Sequence, residues 1–257
     1  MVPYLSELLS GLTNDLLVSS LIVFLASAAQ AVTGFGFALV LVPLLALVYE
    51  PRLVVIISIS LGLICKLPLL IASWRQIQLL QIVPLSLTAI VGTYFGTQIL
   101  LRADADILRL VIGIVVVLLA SPMLFDFRRP VVRERVAALG VGFASGVLGG
   151  ATSMGGPPVV LLGVNQGWNK ESFRANLLAF FVVSNSSSLV NLAGAGALTS
   201  SALTLDLLLV PATAVGILVG SWMFKRIDGE RFRRLVVLLV IGTGLLSVWT
   251  GVTALLA

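Results

Sequence analysis

The chain offers few residues able to do chemistry. It has no histidine and a single cysteine, Cys65, which removes the usual zinc sites and every Ser–His or Cys–His dyad. What remains is a polar, glycine-rich interruption of an apolar run, and it occurs twice. The first is Thr33-Gly34-Phe35-Gly36, between Leu21–Val32 and Phe37–Val48. The second is Gly149-Gly150-Ala151-Thr152-Ser153-Met154-Gly155-Gly156-Pro157-Pro158, between Val136–Leu148 and Val159–Val164. A helix that begins at such a break leaves its first N–H groups without partners and carries roughly half a positive charge at that end. In apolar surroundings that end attracts an anion, and Gly34, Gly36, Gly149, Gly150, Gly155 and Gly156 would let the backbone come close to it. Pro157 suits a first helical position, where its missing N–H is not needed. Thr33, Thr152 and Ser153 can cap a half-helix or donate hydroxyls to an oxyanion. The competing reading is that Gly and Pro only kink closely packed helices. The pairing of the breaks and their short flanks favour a binding site.

Lys66 is the basic residue set well inside an apolar run, and a charge in that setting is a functional hypothesis by default. It can act as an anion's counter-charge or snorkel to an interface near Pro68. Asn185 belongs to a polar stretch, Ser184, Asn185, Ser186, Ser187, Ser188 and Asn191, inside the run Ala175–Ala197. That density favours a pathway lining over hydrogen bonding between helices. Gln30 and Gln98 stand alone and read as packing residues. Cys65 reads as a small buried hydrophobe.

The elements that must position these groups are set by composition. The chain has 257 residues, of which 59% are hydrophobic and 11% charged, and its mean hydropathy is +1.14. A soluble domain is roughly 45–50% apolar and about 25% charged, so the solvent here is lipid. The net charge of +5 comes from Arg and Lys in short loops, which set orientation and do not form a nucleic-acid surface. Met1–Asn14 has no Lys or Arg and no A-x-A pattern, so no cleaved signal peptide is expected. The apolar runs are Leu16–Val32, Phe37–Val48, Leu53–Ser73, Leu79–Leu101, Ile107–Phe125, Val136–Leu148, Val159–Val164, Ala175–Ala197, Leu203–Phe224 and Leu235–Ala257. They lack barrel alternation and are expected to be helices.

The two halves share their punctuation. Gly92-Thr93-Tyr94-Phe95-Gly96 matches Gly216-Ile217-Leu218-Val219-Gly220, an aspartate follows each (Asp104, Asp228), and Arg109-Leu110-Val111 matches Arg234-Leu235-Val236. Pro51-Arg52 sits where Phe173-Arg174 sits. This order predicts a first transmembrane repeat over 1–125, a cytoplasmic loop over 126–135 and a second repeat over 136–257. Basic loops face the cytoplasm. If each broken element enters and returns as a hairpin, 12 basic residues lie inside and 3 outside; eight simple crossings give at best 10 against 5. The expected fold is therefore an all-α polytopic membrane protein of two inverted repeats. Each would hold a re-entrant, broken helical hairpin plus three transmembrane helices, eight segments in all, with both termini extracytoplasmic. Paired breaks in corresponding positions of two halves are the sequence pointer to a transporter's site. On this reading Glu50, Asp104, Asp106 and Asp206 all fall near loop edges.

Ala29-Gln30-Ala31-Val32-Thr33-Gly34-Phe35-Gly36 with Pro43 downstream resembles the TauE/SafE sulfite exporter family, also called the toluene sulfonate uptake permease superfamily. So does Gly146-Val147-Leu148-Gly149-Gly150 leading to Gly155-Gly156-Pro157-Pro158. Trp74-Arg75 and the GxxxG pairs are similar too, and the resemblance spans nearly the whole chain. It implies a bacterial inner-membrane protein with duplicated halves that moves sulfite, sulfoacetate, sulfonates or thiosulfate. The thiosulfate importers of this group use membrane cysteines, and a chain with Cys65 alone fits that branch poorly.

The expected function is a secondary transporter of a small anion, most simply sulfite or an organosulfonate, moving outward. An anion runs out of a cell with a negative interior, at about 2.3 kcal/mol per charge per 100 mV. The alternatives are an importer of thiosulfate- or sulfate-type or other organic anions, and an anion channel. No cofactor, metal or nucleic-acid partner is expected, and the chain is compatible with a homo-oligomer. An intramembrane serine protease built on Ser145-Gly146 lacks its histidine, and a scaffold has no use for two polar breaks.

Overall fold

The computed structural model describes residues 2–104 and 134–226 and positions 108, 238, 249 and 253, with no side-chain description at 2–13, 134 and 135. Apart from those four positions, the expected helices Ile107–Phe125 and Leu235–Ala257 lie outside the described residues, as do residues 126–133 of the expected loop and Asp106, Arg109, Asp228, Arg231, Arg233 and Arg234. Within them the chain forms eight α-helices and one 3-10 turn: α1 (Val2–Thr33), α2 (Phe37–Leu45), α3 (Pro51–Ser73), the 3-10 turn Trp74–Gln76, α4 (Leu79–Arg102), α5 (Glu134–Thr152), α6 (Gly156–Asn165), α7 (Lys170–Gly194) and α8 (Ser200–Arg226). Five stretches, Asn14–Thr33, Pro51–Gln76, Leu79–Arg102, Lys170–Gly194 and Ser200–Arg226, are long and apolar enough to cross a membrane. Large apolar side chains face outward, with Leu80 92% exposed and Leu207 73%. A water-soluble protein would bury them; lipid removes the need.

Both breaks fall where the sequence puts them, and for a local reason. Gly34 and Gly36 have φ of 81° and 101°, and Ser153 has φ of 62°. This left-handed backbone cannot continue a right-handed helix. The two breaks also carry the same hydrogen bonds at the same spacing. The Gly34 amide reaches Gln30 O at 2.8 Å and the Ser153 amide reaches Gly149 O at 2.8 Å. The Thr33 hydroxyl donates to Ala29 O at 2.8 Å and accepts from the Phe35 amide at 3.3 Å. Thr152 donates to Leu148 O at 2.8 Å and accepts from the Met154 amide at 3.2 Å. One motif is built twice.

The first break turns the chain back. Ser19 lies about 21 Å before Thr33 along α1, at 1.5 Å per residue. Its hydroxyl is 3.4 Å from that of Tyr49, beyond α2, so α1 and α2 form a hairpin. After the second break the Ser145 hydroxyl donates to Gly155 O, which brings α6 back alongside the end of α5.

The halves are stitched through their GxxxG pairs. A Cβ on Gly92 would meet Val147 N at 2.9 Å, and one on Gly96 would meet Ala151 N at 2.9 Å, so α4 lies backbone to backbone on α5. Gly216 and Gly220 place α8 on α1 in the same way, with contacts of 3.2 Å to Ala28 N and 2.9 Å to Ala28 Cα. Small residues permit this approach, which drives helix association where no hydrophobic effect operates. Numbering rises together along both pairs, so each pair is parallel. Each half thus lends its GxxxG helix to the other half's hairpin. The same register shows α1 running nearly the depth of α8 before it breaks, because Ala28 lies level with Gly220.

One sequence assignment needs correction. Asp206, read as lying near a loop edge, belongs to α8, which starts at Ser200 and buries the stripe Ala202, Asp206, Leu209, Thr213, Gly216 and Gly220; it is an interior carboxyl. Arg174, one of the basic residues counted on the inside, belongs to α7 and is 7% exposed.

Candidate functional site

The two breaks, far apart in sequence, meet. A side-chain carbon on Gly156 would lie 3.4 Å from Phe181 Cζ and 3.6 Å from Phe35 Cδ2. Beside them opens a cavity lined by Gln30, Phe35, Gly36, Lys66, Ser153 and Asn185, with Ala38, Leu39, Met154, Gly156 and Phe181 completing the wall. Counted out to its open side, the space is about 290 Å³. It lies beside the middle of α3, which brings Lys66, and of α7, which brings Phe181 and Asn185.

Lys66 is 5% exposed. Its ammonium donates to Gly62 O at 3.1 Å and sits 5.6 Å from the Phe37 ring centroid and 5.9 Å from that of Phe181. Among the described residues no carboxylate pairs with it. An ammonium has three donors; among the described residues the bond to Gly62 O is the one made, which leaves two for a ligand. Asn185 uses its amide N–H on Ile59 O at 3.1 Å. Ser153 shares a 2.8 Å hydrogen bond with Ser58.

The half-helix ends contribute unequally. At α2 the first amide, Phe37 N–H, is taken by Gln30 Oε1 at 3.2 Å, and Gln30 Nε2 donates to Gly34 O at 2.6 Å. The next two amides belong to Ala38 and Leu39, both cavity residues. At α6 the helix opens on Gly156, so Pro157 occupies the second position and not the first. Pro157 and Pro158 together remove two of the four N–H groups a helix end normally leaves free.

Of the residues singled out in the sequence, Gly36, Lys66, Ser153, Gly156 and Asn185 line the cavity. Thr33, Gly34, Gly149, Gly150, Thr152, Gly155 and Pro157 are not among its lining. Thr33 and Thr152 spend their hydroxyls inside the breaks. Gly34 packs on Arg174, whose Cα would lie 2.9 Å from an added Cβ, and Arg174 Nε donates to Ala31 O at 2.7 Å. A guanidinium at the last turn of α1 suits that helix end's negative dipole. Gly150 packs against Thr97 N on α4 and Gly149 faces Ser184. Elsewhere in the polar stretch of α7, Ser187 bonds Thr93 of α4 at 2.8 Å, a helix-to-helix role. Gln30 is the cavity residue that sequence reading set aside. Its position three residues before Thr33 on α1, one turn from the break, was the available signal.

A hydrophobic, multi-helix membrane protein with a small cationic cavity between two broken hairpins has the architecture of a solute transporter. The family model described as Sulfite exporter TauE/SafE matches residues 19–247, and the chain belongs to that family. It is thus a multi-pass membrane protein of a transporter family that handles sulfur-containing anions. No curated protein and no solved structure matches the chain.

Proposed function

We propose that this protein carries a small sulfur oxyanion or organosulfonate, most simply sulfite, out across a bacterial inner membrane, and that the anion binds in the cavity between the two breaks. The observation that carries this is Lys66. A buried ammonium that pairs with no carboxylate among the described residues, and that lies near the Phe37 and Phe181 rings, is costly unless an anion completes it. Phe37 and Phe181 exclude water, which strengthens the Lys66–anion attraction. The free amides at the start of α2 add hydrogen bonds from the other side, with the Ser153 hydroxyl and Asn185 beside them. The shared bonding of the two breaks and the reciprocal parallel pairs α4–α5 and α1–α8 support inverted repeats, with each hairpin re-entrant and both termini extracytoplasmic. Two equivalent hairpins around one site would then open to opposite sides in turn. The test is counterflow in proteoliposomes with labelled sulfite, sulfate, sulfoacetate and thiosulfate. Saturable exchange of sulfite or a sulfonate supports the proposal. Exchange of none of the four by the folded protein refutes it.

A further inference from the structure

The hydrogen bond between Ser58 and Ser153 joins two hydroxyls in unequal surroundings. Ser58, on α3, is 0% exposed, and its 2.8 Å bond to Ser153 is the hydrogen bond it makes among the described residues. Ser153 is half-buried and lines the cavity. Each hydroxyl has one proton to give, so the pair spends one proton between them and leaves the other over. If Ser153 donates, the proton left over is that of Ser58, enclosed by protein with no described acceptor, and an unmet buried donor is costly. If Ser58 donates, the proton left over is that of Ser153, which the cavity can receive. Burial therefore sets the direction of the bond from Ser58 to Ser153.

The backbone supplies a second, independent reason to look at Ser153. It holds the place in the second break that Gly34 holds in the first: each amide closes on the carbonyl four residues earlier, and φ is 81° at Gly34 and 62° at Ser153. Glycine takes this left-handed backbone freely, whereas a residue with a β-carbon takes it at a cost. Ser153 is the one non-glycine residue with positive φ among the described residues. Strain of this kind persists at ligand clamps, and what serine has that glycine lacks is the hydroxyl. On α3, Ser58 stands four residues before Gly62 and eight before Lys66, a spacing that sets the three along one face of the helix. Gly62 O receives the Lys66 ammonium at 3.1 Å.

We infer that Ser58 is a positioning residue of the anion site: its hydroxyl donates to Ser153 Oγ and so aims the Ser153 O–H at an oxygen of the bound oxyanion. This rests on the anion reading above. Accepting a hydrogen bond also polarises the Ser153 hydroxyl and makes it the stronger donor. The second break, whose helix α6 lacks two amide donors at Pro157 and Pro158, then reaches the anion through a side chain where the first break offers backbone.

A double-mutant cycle tests this, read as the Kd of whichever of sulfite, sulfate, sulfoacetate and thiosulfate the wild type binds best in isothermal titration calorimetry. Ser153→Ala loses a hydrogen bond to a charged ligand and should raise Kd roughly 10- to 150-fold. Ser58→Ala removes a neutral hydrogen bond behind the cavity wall and should raise Kd roughly 2- to 12-fold. In the S153A background S58A should add nothing, because Ser58 acts through Ser153. Equal losses from S58A in both backgrounds mean a merely structural serine; an unchanged or tighter Kd in S58A alone means that Ser153 donates to Ser58; either result overturns the inference. If S153A folds poorly, Ser153→Gly takes its place in the cycle. S153G relieves the left-handed backbone, should melt above S153A and should bind as weakly; binding by S153G at wild-type strength overturns the inference. A folded wild type that binds none of the four anions sinks the anion reading as well, whereas additive losses in a wild type that binds one sink the role of Ser58 alone.

Discussion

Replacing Lys66 by methionine separates a ligand-binding role from a structural one, because the two move stability in opposite directions. The thioether keeps the length and the packing against Phe37 and Phe181, and sulfur sits well beside aromatic rings. The change deletes a buried charge that no described carboxylate balances. Removing such a charge is neutral or stabilising, so the melting temperature of K66M in detergent without ligand should hold or rise. Binding should fall. A hydrogen bond to a charged group is worth about 1.5–3 kcal/mol, and about 1.4 kcal/mol is tenfold in affinity. Loss of one ammonium–oxyanion contact should therefore raise the sulfite Kd by roughly 10- to 150-fold. Isothermal titration calorimetry gives the Kd, and the shift in melting temperature with added sulfite gives an independent reading. A K66M protein that binds sulfite as tightly as wild type, or that is markedly destabilised while transporting normally, would refute the reasoning.

Further outcomes follow from the packing. Gly96→Leu and Gly220→Leu each push a side chain into a neighbouring backbone, at Ala151 N and Ala28 Cα respectively; both should cost at least about 1–3 kcal/mol and lower the yield of folded protein, and normal melting of either would refute the reciprocal stitching. Gly140→Ala, where an added Cβ meets nothing within 4 Å, should instead be neutral or stabilise by up to about 1 kcal/mol, read as a melting temperature no lower than wild type. Gly34→Ala combines a φ of 81° with the Arg174 backbone at 2.9 Å; it should cost more than the roughly 1–2 kcal/mol of a left-handed residue alone, and a smaller loss on thermal unfolding would show that the break can relax. In a Cys65→Ser background, single cysteines at Arg75 and Gly196 should react with a membrane-impermeant thiol reagent from opposite sides of the membrane, and labelling of both from one side would refute the hairpin topology.

The positions of the breaks, and most span limits, were legible in the sequence because they depend on the residues at those positions. Gly34 and Gly36 take left-handed backbone, Pro157 and Pro158 start a helix, and the apolar runs need lipid. Lys66 was legible for the same reason, since charge inside an apolar run stands out without a structure. The five cavity residues named from sequence were found by type. The seven outside its lining share those types, and sequence alone does not distinguish a glycine facing the cavity from one facing Arg174.

What only the tertiary structure decided is which surfaces meet. The convergence of Phe35 with Gly156, the exchange of α4 and α8 between halves, the anchoring of α1 by Arg174 and the burial of Asp206 against Ser60 all join residues remote in sequence. Gln30 looks like any isolated polar residue until the chain turns at Gly34 and brings Phe37 N–H back to its side chain. Composition and glycine placement fix local backbone and solvent, because those energies depend on near neighbours. The cavity and its charge balance depend on long-range packing, in which the same GxxxG pair could have docked on several helices, and the fit of whole helices selects the one.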